Sequence, residues 1–154
     1  MFFLYTLFAL AAVATLIFAV PLRAKAWAAT AVVGLGALAA SAAAVGVLAG
    51  KAGLSLWSTP GTLFGGDSGS MDRLSALFVL LVSIGSVASV LYARGYLEHT
   101  LREKSPAHVS LHYTALTVMS LAMLGVVTSD GGYSFLFFWE LMTVASFLLI
   151  LYDA

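Results

Sequence analysis

Residues 132–152 read GYSFLFFWELMTVASFLLILY, and Glu140 is the only charged side chain among them. A helix of about 20 residues spans the roughly 30 Å of hydrocarbon in a bilayer. This stretch has that length, and a helix that is apolar on all sides has no polar face to turn towards water. The sequence therefore predicts a helix that crosses a membrane and carries one carboxyl group near its middle.

The rest of the chain has the same character. Hydrophobic residues make up 62% of its 154 residues and charged residues 9%, which is more apolar surface than a globule of this size can bury. We predict an all-α fold, a single transmembrane domain over residues 1–154. Its helices would form a bundle with about five spans, at residues 2–20, 27–49, 74–92, 109–127 and 132–152.

The first span is uncharged and its positive charges follow it, so we expect it to be retained and not cleaved as a signal peptide. Lys and Arg side chains collect on the cytoplasmic side of membrane proteins. Two lie on one side of the predicted bundle and five on the other, namely Arg23, Lys25, Arg94, Arg102 and Lys104. We therefore predict a multi-pass protein of the cell (inner) membrane, with the amino terminus outward and the carboxyl terminus in the cytoplasm.

The longest outer segment, residues 51–72, joins the second and third spans. It contains the stretch LSLW from Leu54, a Pro60-Gly61 pair and later Gly65-Gly66. Alternating apolar residues around a turn pair predict a short β-hairpin on the outer surface, with a turn at Pro60-Gly61. An irregular loop is the alternative.

Several chemistries are excluded by composition. The chain has no Cys, so it cannot form disulfides or hold a thiolate-bound iron–sulfur cluster. Its formal net charge is zero and it has no dense basic run, so nucleic acid is not an expected partner. It also lacks the Gly-rich motifs that bind phosphates or dinucleotides. We expect no catalytic residue, cofactor or metal site in this chain.

Glu140 is the first candidate functional residue. Because an ionised carboxylate at the bilayer centre is unfavourable by several kcal/mol, it must be protonated, paired or turned to a hydrated cavity. Such groups commonly mark ion pathways, and this favours a role in proton transfer. The alternative is a permanently neutral carboxyl group that hydrogen bonds to a neighbouring helix and only stabilises packing.

Four further side chains could extend a proton path. Tyr133 and Thr143 fall on much the same helical face as Glu140 and could hydrogen bond towards it. His108 and His112 share one face at the cytoplasmic start of the fourth span, where they could relay protons. Metal binding by these histidines is the weaker interpretation, because no third ligand is placed near them.

Hydroxyl side chains recur every third residue on two helices. Such rows usually serve helix packing, and a water path is the less common use. The rows are Ser83, Ser86 and Ser89 on the third span, and Thr114, Thr117 and Ser120 on the fourth.

The segment from Phe137 to Leu149, FFWELMTVASFLL, resembles the glutamate-bearing fifth helix of the antiporter-like subunits in complex I and membrane-bound hydrogenases. Two upstream segments agree in order and spacing: DRLSALF from Asp72 and YARGYL from Tyr92. The amino-acid sequence around Glu140 is most similar to that of the hydrogenase-four component B and formate-hydrogenlyase membrane subunits. The first two spans resemble these subunits only in their general apolar character.

This resemblance implies that Glu140 corresponds to the glutamate of a proton-translocating unit. It also implies a partner lysine on a later helix, and only the amino-terminal five helices of such a subunit are present here. The lysines of this chain, Lys25, Lys51 and Lys104, fall in predicted loops, so none should reach Glu140. Three alternatives follow: another chain supplies the remaining helices, this chain is a natural split or truncation, or the subunit has lost pumping and serves as a scaffold.

The predicted function is a non-catalytic, ion-translocating membrane subunit of a redox-driven oxidoreductase complex of the hydrogenase or NADH/quinone type. Its partners would be the lipid bilayer and other membrane subunits of a multi-subunit redox complex. Two alternatives remain open. One is a structural or assembly subunit without transport, and the other is a subunit of a multi-chain cation/proton antiporter without a redox module.

Overall fold

The computed structural model of this chain describes residues 21–50, 52–62, 65–100 and 106–153. These ranges form four helices and one β-hairpin, in the order α1 (Leu22–Leu48), β1 (Leu54–Thr62), β2 (Gly65–Met71), α2 (Arg73–Thr100), α3 (Pro106–Thr128) and α4 (Gly132–Asp153). The predicted helical bundle is confirmed, with α1 to α4 as its second to fifth spans. The first predicted span, residues 2–20, lies outside the described residues.

All four helices contain a segment that is long and apolar enough to cross a membrane. These segments are 20 to 25 residues long, which at about 1.5 Å per residue matches the hydrocarbon thickness. In each segment, at most 33% of the 18 most apolar consecutive residues are buried inside the bundle. Their outer surfaces are therefore apolar and suited to lipid, as in a membrane protein.

All four described helices extend beyond the predicted spans, and α1 and α2 do so by five residues or more at one end. Helix α1 begins at Leu22, directly after Pro21, and Pro is well suited to the start of a helix because it has no N–H to pair. Helix α2 continues to Thr100, so Arg94 is helical and lies over the Trp27 ring, with its guanidinium carbon 3.8 Å from the ring centroid. Hydropathy predicts where a helix leaves lipid, which is not where the helix ends.

The helices pack through small side chains, which allow close approach where lipid provides no hydrophobic drive. Helix α1 lies along α2, and α3 lies along α4. One buried cluster joins α1, α2 and α3 towards one end of the bundle and contains Ala29, Val33, Val90, Ala93, Val109 and Tyr113. A second cluster lies beside the hairpin and contains Ala44, Val47, Met71, Ala76 and Val79.

The segment between α1 and α2 is an antiparallel hairpin, as predicted. Its strands pair from Leu54 with Met71 to Thr62 with Gly65. The turn predicted at Pro60-Gly61 is wrong, because the register shifts between Thr59 and Thr62 and so includes these two residues in an irregularity of β1. A proline cannot donate to the strand ladder, and an irregular position of this kind accommodates it.

The contact between α3 and α4 depends on a missing side chain. A Cβ placed on Gly125 would lie 2.4 Å from the Phe138 ring, whereas one placed on Gly85 of α2 would meet nothing within 4 Å. We expect Gly125→Ala to destabilise the protein by about 1–3 kcal/mol through overpacking. Gly85→Ala, the matched control, should be neutral or stabilising by up to about 1 kcal/mol. Thermal unfolding in detergent measures both, and equal midpoints for the two variants would contradict this packing.

The start of α2 is capped by Asp72, whose Oδ1 accepts a hydrogen bond from the Ser75 backbone N–H at 2.7 Å. This hydrogen bond from the Ser75 backbone is the main reason that the pKa of Asp72 lies below its ordinary value of 3.8. A carboxylate is also favoured at this end by the helix dipole.

We therefore expect Asp72 to stabilise the protein at neutral pH. Because its pKa is lower in the folded protein, this contribution is complete above the ordinary carboxyl pKa and disappears as pH falls through the folded-state value. Thermal midpoints across the acidic range should show this dependence in the native chain. Asp72→Asn, which can still cap but cannot titrate, should lack it; an identical pH dependence would refute the assignment.

Candidate functional site

Glu140 lies near the middle of a membrane-crossing helix, as expected from the sequence. It is in the segment Gly132–Leu151 of α4, about 12 Å along the axis from Gly132 at 1.5 Å per residue. The flanking turns are apolar in both directions. Its carboxyl group is therefore deep in the hydrocarbon if α4 crosses the bilayer.

The structure places Glu140 on the outward face of α4. The side chains that pack against the rest of the bundle are Ser134, Phe138 and Ala145, and Phe138 is about 160° around the helix from Glu140 at 100° per residue. Glu140 itself is exposed. None of the described residues hydrogen bonds to its carboxyl group or forms an ion pair with it.

Tyr133 and Thr143 lie on this same exposed side of α4. Thr143 is one turn from Glu140, and its hydroxyl donates to the Trp139 carbonyl oxygen at 3.0 Å. The Thr143 oxygen can still accept a hydrogen bond, since a hydroxyl has two lone pairs. Tyr133 is at the start of α4, about 10 Å along the axis from Glu140.

His108 and His112 are both in the first turns of α3, where His108 is exposed and His112 is partly buried. The His112 ring lies edge-on to that of Tyr113, with centroids 5.9 Å apart. The contact between Gly125 and Phe138 puts Glu140 level with about residue 123 of α3, so His112 is about 16 Å away along the axis. The structure therefore does not bring the histidines and Glu140 together.

Within the described ranges, no three His, Cys, Asp or Glu side chains are grouped closely enough to hold a metal ion. This finding concerns only the described part of the chain. It gives no support to the weaker metal interpretation of His108 and His112.

The prediction that every lysine lies in a loop is wrong for Lys25. This residue is in the first turn of α1 and is only 6% exposed. Its ammonium group donates a hydrogen bond to the Ser110 hydroxyl of α3. The helix begins before the hydrophobic span does, and the long apolar stem of Lys25 can pack between helices.

The sequence did not predict the polar contact between Lys25 and Ser110. Its four-residue spacing to Ala29 and eight-residue spacing to Val33 puts all three on one buried stripe of α1, but an apolar helix gives no sequence signal of which stripe is buried. Lys25 is not a partner for Glu140, because Ser110 lies about 20 Å along the axis from the level of Glu140. Lys51 and Lys104 lie outside the described residues.

Asp67 is a second functional candidate that the sequence did not reveal. It belongs to β2, is 7% exposed, and its Oδ1 accepts a hydrogen bond from the Ser134 hydroxyl at 3.0 Å. Its Oδ2 is buried and has no hydrogen-bond partner among the described residues. The carboxyl group thus lies beside the amino-terminal end of α4, where a negative charge is favoured by the helix dipole.

The hairpin is fastened to the start of α4 by further contacts. The backbone N–H groups of Asp130 and Gly131 both donate to the Ser68 carbonyl oxygen, at 2.9 and 3.2 Å. The Trp57 ring packs at a tilt against Phe138, with centroids 6.4 Å apart. The hairpin therefore contacts the amino-terminal end of the helix that carries Glu140.

This junction predicts different effects for two adjacent glycines. A Cβ on Gly131 would lie 1.6 Å from Asp67 Oδ1, whereas one on Gly132 would meet nothing within 4 Å. Gly131→Ala should displace the hairpin from α4 and lower stability by about 1–3 kcal/mol. Limited proteolysis of the segment 52–72 and thermal unfolding measure this effect. Gly132→Ala is the control, and the contact is refuted if both variants are cleaved at the native rate.

Comparison with known proteins gives a partial match. Over 82 residues, 53% of the chain, the sequence is 39% identical to a Staphylococcus saprophyticus protein named as an antiporter subunit, mnhA2. The protein of the same name from Staphylococcus aureus is 38% identical over 82 residues. The chain spans about a tenth of the length of these relatives, since the match covers 10% of each. No family model and no solved structure matches.

The chain is therefore a membrane protein and a partial homologue of an antiporter-like membrane subunit.

Proposed function

We propose that this chain is part of a multi-subunit cation/proton antiporter and that Glu140 takes up and releases protons there. The observation that carries this proposal is the position of Glu140, midway along a membrane-crossing helix on the face turned away from the described helices. A carboxyl group left in lipid at that depth is unfavourable by about 3 kcal/mol on insertion scales. Another helix or a hydrated cavity over this face would remove that penalty.

The partial match with the relatives supports the presence of further helices over this face of α4. These relatives are much longer than the matched segment, so their function depends on more chain than is present here. We propose that additional membrane helices, on another polypeptide or on a continuation of this one, pack against the exposed face of α4. A basic group on those helices would provide the counter-ion that Glu140 lacks among the described residues.

The remaining candidates fit a proton path in two parts. Tyr133 and Thr143, on the face of Glu140, would exchange hydrogen bonds with it through water. His108 and His112 would deliver protons from the cytoplasmic side, if the Lys and Arg distribution sets the orientation as it does in other membrane proteins. The distance of about 16 Å between His112 and the level of Glu140 requires intervening water or side chains.

Assignment to an antiporter is favoured over assignment to a redox-driven complex, which the sequence around Glu140 suggests. Both relatives are named as antiporter subunits. The chain has no Cys and so cannot itself ligate an iron–sulfur cluster by thiolates. Co-purification distinguishes the two, because a redox complex would bring hydrogenase or dehydrogenase subunits with iron–sulfur centres, and an antiporter would not.

Glu140→Gln tests the proposal, because it retains the size and hydrogen bonding of the side chain but cannot titrate. In inverted membrane vesicles that contain the whole complex, we expect cation-dependent proton movement to fall by about tenfold or more. A pH-sensitive dye measures this movement on addition of Na⁺ or K⁺. Unchanged proton movement would refute the role of Glu140.

Val144→Ala is the matched control, since Val144 is exposed on the same helix one turn further on. This variant should transport at the native rate and assemble normally. Infrared difference spectra address the structural alternative directly. A carboxyl band that changes during turnover in the native protein and is absent from Glu140→Gln supports proton exchange, whereas a band that never changes indicates a static packing group.

A further inference from the structure

The two rows of hydroxyl side chains predicted from the sequence meet inside the bundle. Ser83 and Ser86 of α2 are buried, as are Thr117 and Ser120 of α3. All four line one cavity between these helices and α1. A small-residue stripe alone would be explained by helix packing, so the cavity and the state of its hydroxyls decide the matter.

The cavity has the size of a water molecule. The space open to the centre of a water is about 10 Å³, close to the minimum that one bound water requires. Most of its wall is apolar, and a wholly apolar cavity stays empty. Whether a water binds here therefore depends on the four hydroxyl-bearing side chains that line it and on whether any of them lacks a hydrogen-bond partner.

Ser83 needs a hydrogen-bond partner that the described residues do not provide. It is 3% exposed, and its Oγ is buried without a partner. The opposite wall offers acceptors, because Thr117 donates to the Tyr113 carbonyl oxygen at 2.8 Å and Ser120 to that of Leu116 at 2.9 Å. Each of these two hydroxyl oxygens retains a lone pair for another donor.

We propose that this cavity binds a water molecule that hydrogen bonds to Ser83 of α2 and to the Thr117 or Ser120 hydroxyl of α3. Water fits because it can both donate and accept, which these three groups together require. A buried water with two to four polar partners is a regular component of protein structure. The site is a different one from Glu140 and does not depend on any function of that residue.

The cavity adjoins a wider groove between α2 and α3. This groove has about 320 Å³ open to water centres, and Ser86 and Ser120 line both the groove and the cavity. Ser89 also lines the groove. The contact between Gly125 and Phe138 aligns α3 with α4. By this alignment, Ser120 lies within about 5 Å of Glu140 along the helix axes. The structure therefore places this cavity and its hydroxyl groups near the middle of the membrane-crossing helices.

Single cysteines test this proposal, and the chain suits the method because it has no Cys of its own. A thiol reacts with Ag⁺ as the thiolate, which forms only where water reaches it. Ser83→Cys differs from serine by one atom and reports on the cavity. Two controls flank it on α2. Ile84→Cys replaces a side chain that is 69% exposed on the outer surface of the bundle, and Val79→Cys replaces one that is fully buried in an apolar cluster.

The full-length chain is treated with Ag⁺ in its native membranes, and the remaining thiols are counted by maleimide labelling after denaturation. We expect Ser83→Cys to react about tenfold or more faster than both controls. A rate equal to that of Val79→Cys would show a dry cavity and overturn the proposal. A rate equal to that of Ile84→Cys would show no selective wetting and would also overturn it.

If Ser83→Cys does not accumulate in membranes, Thr117→Cys takes its place. Thr117 is fully buried and lines the cavity but not the groove, so the same comparison with the two controls applies. Rapid reaction of this variant supports the water site, and reaction no faster than that of Val79→Cys refutes it.

Discussion

The structure depends on one constraint, which is that a chain crossing hydrocarbon must pair all its backbone N–H and C=O groups within itself. Each of the four described helices does so over at least 20 residues. Once the backbone is satisfied, lipid and apolar side chains are nearly equivalent neighbours, so close packing decides which helix faces meet. This explains why alanine, glycine and small hydroxyl residues occupy the contacts and why Leu38, Ile84 and Ile150 are turned outward.

The same constraint gives each polar side chain in the spans a particular significance. Lys25 is accommodated by a hydrogen bond to Ser110, and Thr117 and Ser120 bond to the carbonyl oxygens of the preceding turn. Ser83, Thr114 and Glu140 lack such partners among the described residues. Ser83 and Glu140 differ in kind. Ser83 lines a cavity that is the size of one water molecule, whereas Glu140 faces away from the other described helices.

The hairpin lies at one end of the bundle, beside the start of α4. It lies between α1 and α2 in the chain, yet its polar contacts are with the start of α4. Asp67 contributes a carboxyl group near the end of a helix where partial positive charge collects. A segment that appears to be a simple surface connection therefore sets the position of the helix that carries Glu140.

The sequence by itself determined the membrane location, the four described spans and the position of Glu140 along its helix, because all of these depend on the order of apolar and polar residues along the chain. It left the hairpin open against an irregular loop. It did not determine the true start of α1, and it therefore placed Lys25 in a loop. Hydropathy follows the solvent around a helix and not the extent of its hydrogen bonding. The Pro60-Gly61 turn was misplaced because strand pairing, and not turn preference alone, sets the register.

Only the tertiary structure decided which faces are buried. An apolar helix has no polar side to reveal its orientation, so the sequence could not show that Ser83 faces Thr117 and Ser120, that Asp67 lies beside Ser134, or that Glu140 points away from the other described helices. Those relations depend on the fit between side chains distant in the chain. In a membrane, where burial among apolar groups hardly distinguishes protein from lipid, that fit is decided by packing alone.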